Sequence, residues 1–179
     1  MRVGILSDTH DDLKWATAGV QKLRDAGAEL FIHCGDVGGE RILDLFAGVP
    51  TVFVFGNTDF DQELLKRYAG DLGITCGGEF ADLQLQGKRL AVTHGDDRKL
   101  MSRAVTEPFD YLLHGHTHVV RDERLQRKQL LDTSAGFSAD LPIELRVINP
   151  GALHRALNKT VATLDLPSDE LRIFSVQLR

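Results

Sequence analysis

Val3-Gly4-Ile5-Leu6-Ser7-Asp8-Thr9-His10 is an apolar run that gives way abruptly to residues able to bind a metal. A short run without polar alternation suits a strand covered on both faces. The device recurs along the chain in Cys34-Gly35-Asp36, Gly56-Asn57-Thr58-Asp59, Thr93-His94-Gly95-Asp96 and His114-Gly115-His116-Thr117-His118. Each follows another apolar run: Leu30–Ile32, Val52–Phe55, Leu90–Val92 and Tyr111–Leu113. Strands that deliver Asp, Asn and His at their downstream ends can converge residues distant in sequence, because open α/β sheets bind ligands beyond the carboxyl ends of their strands.

Helical patterns separate the early runs. Leu13–Ala26 places Leu13, Ala16, Val20 and Leu23 on one stripe, with Gly27 as a stop. Shorter helices are expected at Arg41–Phe46, Asp61–Ala69 and Arg98–Val105, the last halted before Pro108. The second half is richer in strands. Phe80–Leu85, Gln86-Gly87-Lys88 and Arg89–Thr93 read as a hairpin. Val119–Leu125, Gln129–Asp132, Leu145–Ile148, Lys159–Leu164 and Leu171–Val176 are further strand candidates, with Pro167-Ser168-Asp169 turning between the last two. The expected architecture is α/β: two mixed sheets packed together with helices outside. The 179 residues are expected to form a single domain, 1–179.

Apolar content of 42% and charged content of 26% are those of a globular chain. The net charge of −5 gives long nucleic acid little electrostatic attraction. No apolar stretch is long enough to span a membrane. A cleaved leader would have to remove Asp8 and His10, so a cytoplasmic location is expected. Cys34 and Cys76 are too few for a disulfide framework, and Cys34 reads as small buried filler.

Carboxylate, imidazole and one amide, without thiolate, suit Mn²⁺, Fe, Ni²⁺ or Zn²⁺. Asp8 and His10, and again His116 and His118, are two apart and would face one side of an extended chain while Thr9 and Thr117 point away. Seven donor residues suffice for two ions if one carboxylate bridges. Two ions about 3.5–4 Å apart can clamp a phosphoryl group and supply a hydroxide nucleophile.

The series Asp8-x-His10, Gly35-Asp36, Gly56-Asn57-x-Asp59, His94-Gly95 and Gly115-His116-Thr117-His118, with Asn149-Pro150-Gly151 downstream, resembles the calcineurin-like metallophosphoesterases, in particular their small bacterial and archaeal phosphodiesterases. The resemblance implies a four-layer αββα sandwich and a dinuclear centre of two divalent ions, Mn²⁺ foremost among them. It implies Asp8, His10, Asp36 and His118 on the first ion, Asp36 bridging, and Asn57, His94 and His116 on the second. It gives Asn57, Asp59 and His94 roles in catalysis: Asn57 and His94, with His116, at the phosphoryl oxygens, Asp59 in positioning the centre. The implied reaction is phosphodiester hydrolysis by a metal-bound hydroxide, on a small phosphate ester or a nucleotide. The retromer scaffold subunit shares this fold, so a metal-retaining, protein-binding scaffold is the alternative. A homodimer is compatible with the sequence, and no segment marks its interface.

Three positions depart from the pattern, and the first is Asp11, which replaces a glycine common after the first motif. Thr58 stands where many relatives carry a histidine that protonates the leaving group, and a hydroxyl is a poor acid near neutral pH. Asp96 stands where a second histidine is common after His94-Gly95. Asp97 is expected to cap the Arg98 helix and Asp11 or Asp12 the Leu13 helix, while Asp59 is either a brace of the centre or a cap before Asp61. His33 and His114 read as packed core residues, His154 as an exposed residue near the Asn149-Pro150-Gly151 turn, and Arg98, Lys99 and Arg103 as a solvated helix face.

Overall fold

A computed structural model describes residues 1–127 and 142–178. The expected strand at Gln129–Asp132 lies outside the described residues. The first half runs β1 (Arg2–Leu6), α1 (Leu13–Asp25), β2 (Leu30–His33), α2 (Glu40–Asp44), β3 (Thr51–Phe53), α3 (Gln62–Asp71) and β4 (Thr75–Cys76). Then follow β5 (Phe80–Leu85), β6 (Lys88–Thr93), α4 (Arg98–Thr106), β7 (Tyr111–Leu113), β8 (Arg121–Gln126), β9 (Glu144–Asn149), β10 (Thr160–Asp165) and β11 (Glu170–Ser175).

One sheet has the order β11-β10-β1-β2-β3-β4 and the other β5-β6-β7-β9-β8. β1 to β4 run parallel, with β10 and β11 antiparallel at one side. β6, β7 and β9 run parallel between antiparallel edge strands. Side-chain alternation sorts the core into three layers. Val3, Ile5, Ile32, Cys34 and Val54 meet Leu90, Val92, Leu113 and Ile148 between the sheets. Leu6, Phe31 and Phe53 turn the other way, onto Ala16, Val20 and Leu23 of α1, Ile42 and Leu43 of α2 and Leu65 of α3. Ala91, Leu112 and Val147 face Ala104 of α4. The result is the expected order of helices, sheet, sheet, helices.

Local chemistry sets the element ends. Asp12 accepts from Trp15 N–H, Asp61 from Leu64 N–H and Asp97 from Lys99 N–H, so each caps the helix it precedes. Gln86 and Gly87 both have positive φ and close the β5–β6 hairpin with a two-residue turn. α1 packs tightly at Gly19, where a Cβ would come within 2.7 Å of Leu153 and 3.2 Å of Val161 in β10. The two-residue β4 was not anticipated, because Thr75-Cys76 carries no apolar run. β3 stops at Phe53 rather than Phe55, and α3 continues through Gly70.

Candidate metal centre

The five loops that carry the expected ligands leave β1, β2, β3, β6 and β7 at the same end of the two sheets. Glycines let them close on one another. A Cβ on Gly35 would lie 2.7 Å from the His94 ring, one on Gly56 2.2 Å from Asp36 Oδ1, and one on Gly115 1.9 Å from Ser7 Oγ and 2.7 Å from Asp8 Oδ2.

Asp36 Oδ2 lies 3.3 Å from both His10 Nε2 and His94 Nε2. Asp8 Oδ1 lies 3.1 Å from His118 Nε2 and 4.0 Å from the same nitrogens of His10 and His94. Two overlapping sets, Asp8 with His10 and His118, and Asp8 with Asp36 and His94, each bring one donor atom per residue within 4.8 Å of the others. Asp8 Oδ1, His10 Nε2 and His94 Nε2 are buried and make no hydrogen bond. Buried polar atoms without partners are costly; Asp8 Oδ1 belongs to both sets, His10 Nε2 to one and His94 Nε2 to the other, which fits cations held between them. Oxygen and imidazole nitrogen are the right donors for a first-row divalent ion.

The rest of each side chain is held from behind. His94 Nδ1 donates to the Cys34 carbonyl at 2.9 Å, which leaves Nε2 as the free donor atom. Asp8 Oδ2 accepts from the His116 amide at 3.2 Å, and Asp36 Oδ1 from the Thr58 amide at 2.9 Å. Burial lowers the His94 pKa, but contact with Asp36 and donation to the Cys34 carbonyl outweigh it and carry the ring up to about 9. Burial pushes the Asp36 carboxyl up, yet His94 and the Thr58 amide hold it below the ordinary carboxylate range. The field that raises His94's affinity for a proton also favours a divalent cation. His10 is shifted down by burial.

Asp8 and His10 reach the same side by a different route from the one expected. Their φ angles are 56° and 44°, and those of His116 and His118 are 65° and 58°. These four lie past the strand ends in left-handed conformation, so two-residue alternation of extended chain does not apply to them. Thr9 does point away: its hydroxyl donates to Val37 O at 2.8 Å and meets His33 Nε2 at 2.9 Å. His33 is therefore packed, as expected, and braces the loop between Asp8 and His10.

The other two expected ligands are placed less tightly. His116 is exposed with its ring edge-on to His94, centroids 5.1 Å apart. Asn57 is exposed and lines a cleft of about 350 Å³ with Phe60, Glu79, Asp96, Asp97 and Leu100. Asp59 is buried and gives one oxygen to the Gly38 amide and the other to the Gly56 amide, both at 2.8 Å. It is thus a brace and not a helix cap. Burial raises its pKa, and the two amides oppose that shift.

Asn149 lies beneath the His116 loop, donating to Gly115 O at 2.8 Å and Thr117 Oγ1 at 3.1 Å while accepting from Gly151 N–H. His114 is buried, with Nδ1 3.1 Å from Gly115 O. His154 is less isolated than its sequence context suggested. Nδ1 lies 3.3 Å from Asp12 Oδ2, and the ring is 5.1 Å from the His10 ring. Arg103 pairs with Glu107 and covers the Phe80 ring, away from the centre. Thr58 Oγ1 lies 3.3 Å from His10 Nδ1. No sequence periodicity signals these last contacts, because they join residues far apart in the chain.

A family model for the calcineurin-like phosphoesterase superfamily domain matches residues 1–169. A phosphodiesterase of Methanocaldococcus jannaschii is 27% identical over 122 residues, covering 66% of this chain and 74% of that protein. UDP-2,3-diacylglucosamine hydrolases of Escherichia coli are 44% identical over 50 residues, 28% of this chain but 20% of theirs, so that likeness is local. Among solved structures, an archaeal phosphodiesterase superposes with a TM-score of 0.80 over 98% of this chain and 100% of its own, at 24% identity. A phosphoesterase of E. coli superposes with a TM-score of 0.63 over 99% and 100%, at 17% identity. At those identities the two structures bear on the fold, and both agree with the four layers described above.

Proposed function

From the premise that the chain belongs to the calcineurin-like phosphoesterase superfamily and has a relative named a phosphodiesterase, we propose that it is a two-ion phosphodiesterase acting on small phosphate esters or nucleotides. The observation that carries the proposal is the pair of carboxylates facing His10, His94 and His118, with three buried donor atoms left unpartnered. On this reading Asp8, His10, Asp36 and His118 hold one ion, and Asn57, His94 and His116, with Asp36 shared, hold the other. Asp36 is the natural bridge, since the same oxygen stands 3.3 Å from a histidine of each set. When bound, the ions would supply Lewis acidity and an acidified water for attack on phosphorus, with Mn²⁺ the ion expected.

The chain's own groups divide the remaining work. Asp8 and Asp36 place two negative charges against the ions, which leaves the centre attractive to a phosphate anion. His116 and Asn57, both exposed, flank the open side and position the phosphoryl oxygens, and the buried His94 acts on them through the ion it would hold. Asp59 keeps the Asn57 loop in register through its two backbone amides. The cleft beyond Asn57 receives one alcohol of the diester. No helix among the described residues is long and apolar enough to cross a membrane. We place its action in the cytoplasm as a single domain, 1–179, and the two free cysteines are compatible with a reducing compartment.

The test is hydrolysis of bis(p-nitrophenyl) phosphate against p-nitrophenyl phosphate by chelator-stripped protein, with Mn²⁺, Ni²⁺ or Zn²⁺ added back. Metal-dependent turnover that favours the diester is expected. No turnover of either ester with any of the ions would overturn the enzymatic reading in favour of a scaffold.

A further inference from the structure

We infer that Thr58 is a positioning residue of the metal centre, its hydroxyl setting the tautomer and direction of His10 while its backbone amide sets Asp36. The inference rests on the metal-binding reading above and gives a role to the residue that departs most clearly from the family pattern. Two contacts carry it. Thr58 Oγ1 lies 3.3 Å from His10 Nδ1, and Thr58 N–H donates to Asp36 Oδ1 at 2.9 Å.

A neutral imidazole has one protonated nitrogen, and the partner of that nitrogen decides which one it is. His10 Nε2 is buried without a hydrogen bond and faces Asp36 Oδ2 at 3.3 Å. For Nε2 to bind a cation, the ring proton must sit on Nδ1. The hydrogen-bonding group opposite Nδ1 is the Thr58 hydroxyl, which accepts that proton's bond. His94 meets the same requirement with a backbone acceptor, the Cys34 carbonyl, 2.9 Å from its Nδ1. The two histidines that share Asp36 Oδ2 are therefore held by similar means, one by main chain and one by a side chain.

The amide contact completes the device. With Asp36 Oδ1 held by Thr58 N–H, Oδ2 turns toward the two histidines. One residue thus orients a donor atom from the β1 loop and another from the β2 loop. Apart from Thr58, His10 is flanked by the ring edges and faces of His118 and His154, at centroid distances of 5.9 Å and 5.1 Å. Ring packing restrains position but does not choose between tautomers.

The hydroxyl's contacts, with His10 Nδ1 and with the Asp36 carboxylate, can be removed while the amide contact is kept. Thr58→Val has nearly the same shape and keeps the backbone amide on Asp36, whereas Thr58→Ser keeps the hydroxyl. Orienting partners of metal-bound histidines are worth about 10–100-fold in affinity. Titration calorimetry of stripped protein with Mn²⁺ and Zn²⁺ should show one binding event weakened at least about tenfold in Thr58→Val, with Thr58→Ser near wild type and thermal unfolding unchanged in both. Wild-type affinity in Thr58→Val would overturn the inference. A second readout does not depend on any variant folding. Nitrogen-15 NMR of the His10 ring in stripped wild-type protein at pH 8 should show the proton on Nδ1, and a ring protonated on Nε2 would overturn the inference. Absence of ion binding by the wild type would instead refute the metal-centre reading, so the two failures are distinguishable.

Discussion

Acid should weaken this fold through His33, which binds no metal in the proposed scheme. His33 is fully buried. The Thr9 hydroxyl gives its proton to Val37 O, so it accepts from His33 Nε2–H, and Nδ1 is left without a partner. Burial, reinforced by the positive charge of His94, pushes the ring from 6.5 down to about 3. Between those two pH values the unfolded chain binds a proton that the folded chain refuses. Stability therefore falls as pH drops below 6.5 and continues to fall until about 3. At pH 5 the lag is 1.5 pH units from the unfolded value, and at about 1.36 kcal/mol per unit the loss is about 2 kcal/mol relative to pH 7.5. The assay is urea unfolding of chelator-stripped protein at pH 7.5 and 5.0. His33→Gln keeps a polar partner for Thr9 but cannot titrate. It should be less stable than wild type at pH 7.5 through lost packing on Phe46, yet its drop between the two pH values should be smaller by about 2 kcal/mol. The contribution of His114, which burial lowers to about 4, is common to both proteins and cancels. An identical drop in the two proteins, or a His33 ring titrating near 6.5 in the folded state, would refute the reasoning.

Asp36→Ala should abolish high-affinity binding of both ions and nearly all diester hydrolysis, and undiminished metal content by atomic emission would refute its shared role. Gly115→Ala must move Ser7 or the His116 loop, given a Cβ 1.9 Å from Ser7 Oγ, and should cost about 1–3 kcal/mol in chemical denaturation. Gly70→Ala, with open space around it inside α3, should instead stabilise by about 0.5–1 kcal/mol. Glu79 and Asp96 line the Asn57 cleft beneath an aromatic lip, Phe60, that is 90% exposed. A Glu79→Gln, Asp96→Asn double variant should improve kcat/KM for diesters with an anionic alcohol, relative to a neutral one, on the order of thirtyfold, since two charge contacts of about 1 kcal/mol each are removed. An unchanged ratio would place the alcohol elsewhere.

Elements whose sequence signal is local were legible. β1, β2, β6 and β7 are short apolar runs because both faces of each are covered, one by the other sheet and one by helices. The cap at Asp97, and the cap at Asp12 as one of two candidates, followed from a polar residue before an amphipathic stretch, whereas Asp61, expected inside its helix, proves to be its cap. β4 was not legible, since two residues added to a sheet edge carry no pattern. In the candidate site, the order of donor-bearing loops was legible and their grouping of Asp8, His10, Asp36, His94 and His118 follows from parallel strands ending together. What escaped was every contact that depends on backbone handedness or on distance in the chain: Thr58 on His10, His154 on Asp12, and Thr9 on His33. Period-two reasoning assumed extended chain at Asp8 and His10, and the loops do not supply it.

That handedness explains why these residue types stand where they do. Asp8, His10, Asp36, His116 and His118 all have φ between 44° and 65°. Asp and His enter this region more readily than most residues, yet each non-glycine there still costs on the order of 1 kcal/mol or more. Five together cost about 5 kcal/mol, comparable to the whole net stability of a small domain. The loops offset this by bonding to one another. Asp8 N–H donates to Gly35 O, His10 N–H to Asp36 O and Asp11 N–H to Val37 O, at 3.0, 3.0 and 3.1 Å. The ladder between β1 and β2 thus continues past the strands although neither loop is extended. His116 N–H on Asp8 and Asn149 on Gly115 and Thr117 tie in the second sheet. Backbone hydrogen bonds between the loops thus hold the strained geometry of the donor-bearing residues. Loops tied to one another by main-chain bonds leave less of the chain for a ligand to order, and free energy not spent on ordering is available as affinity.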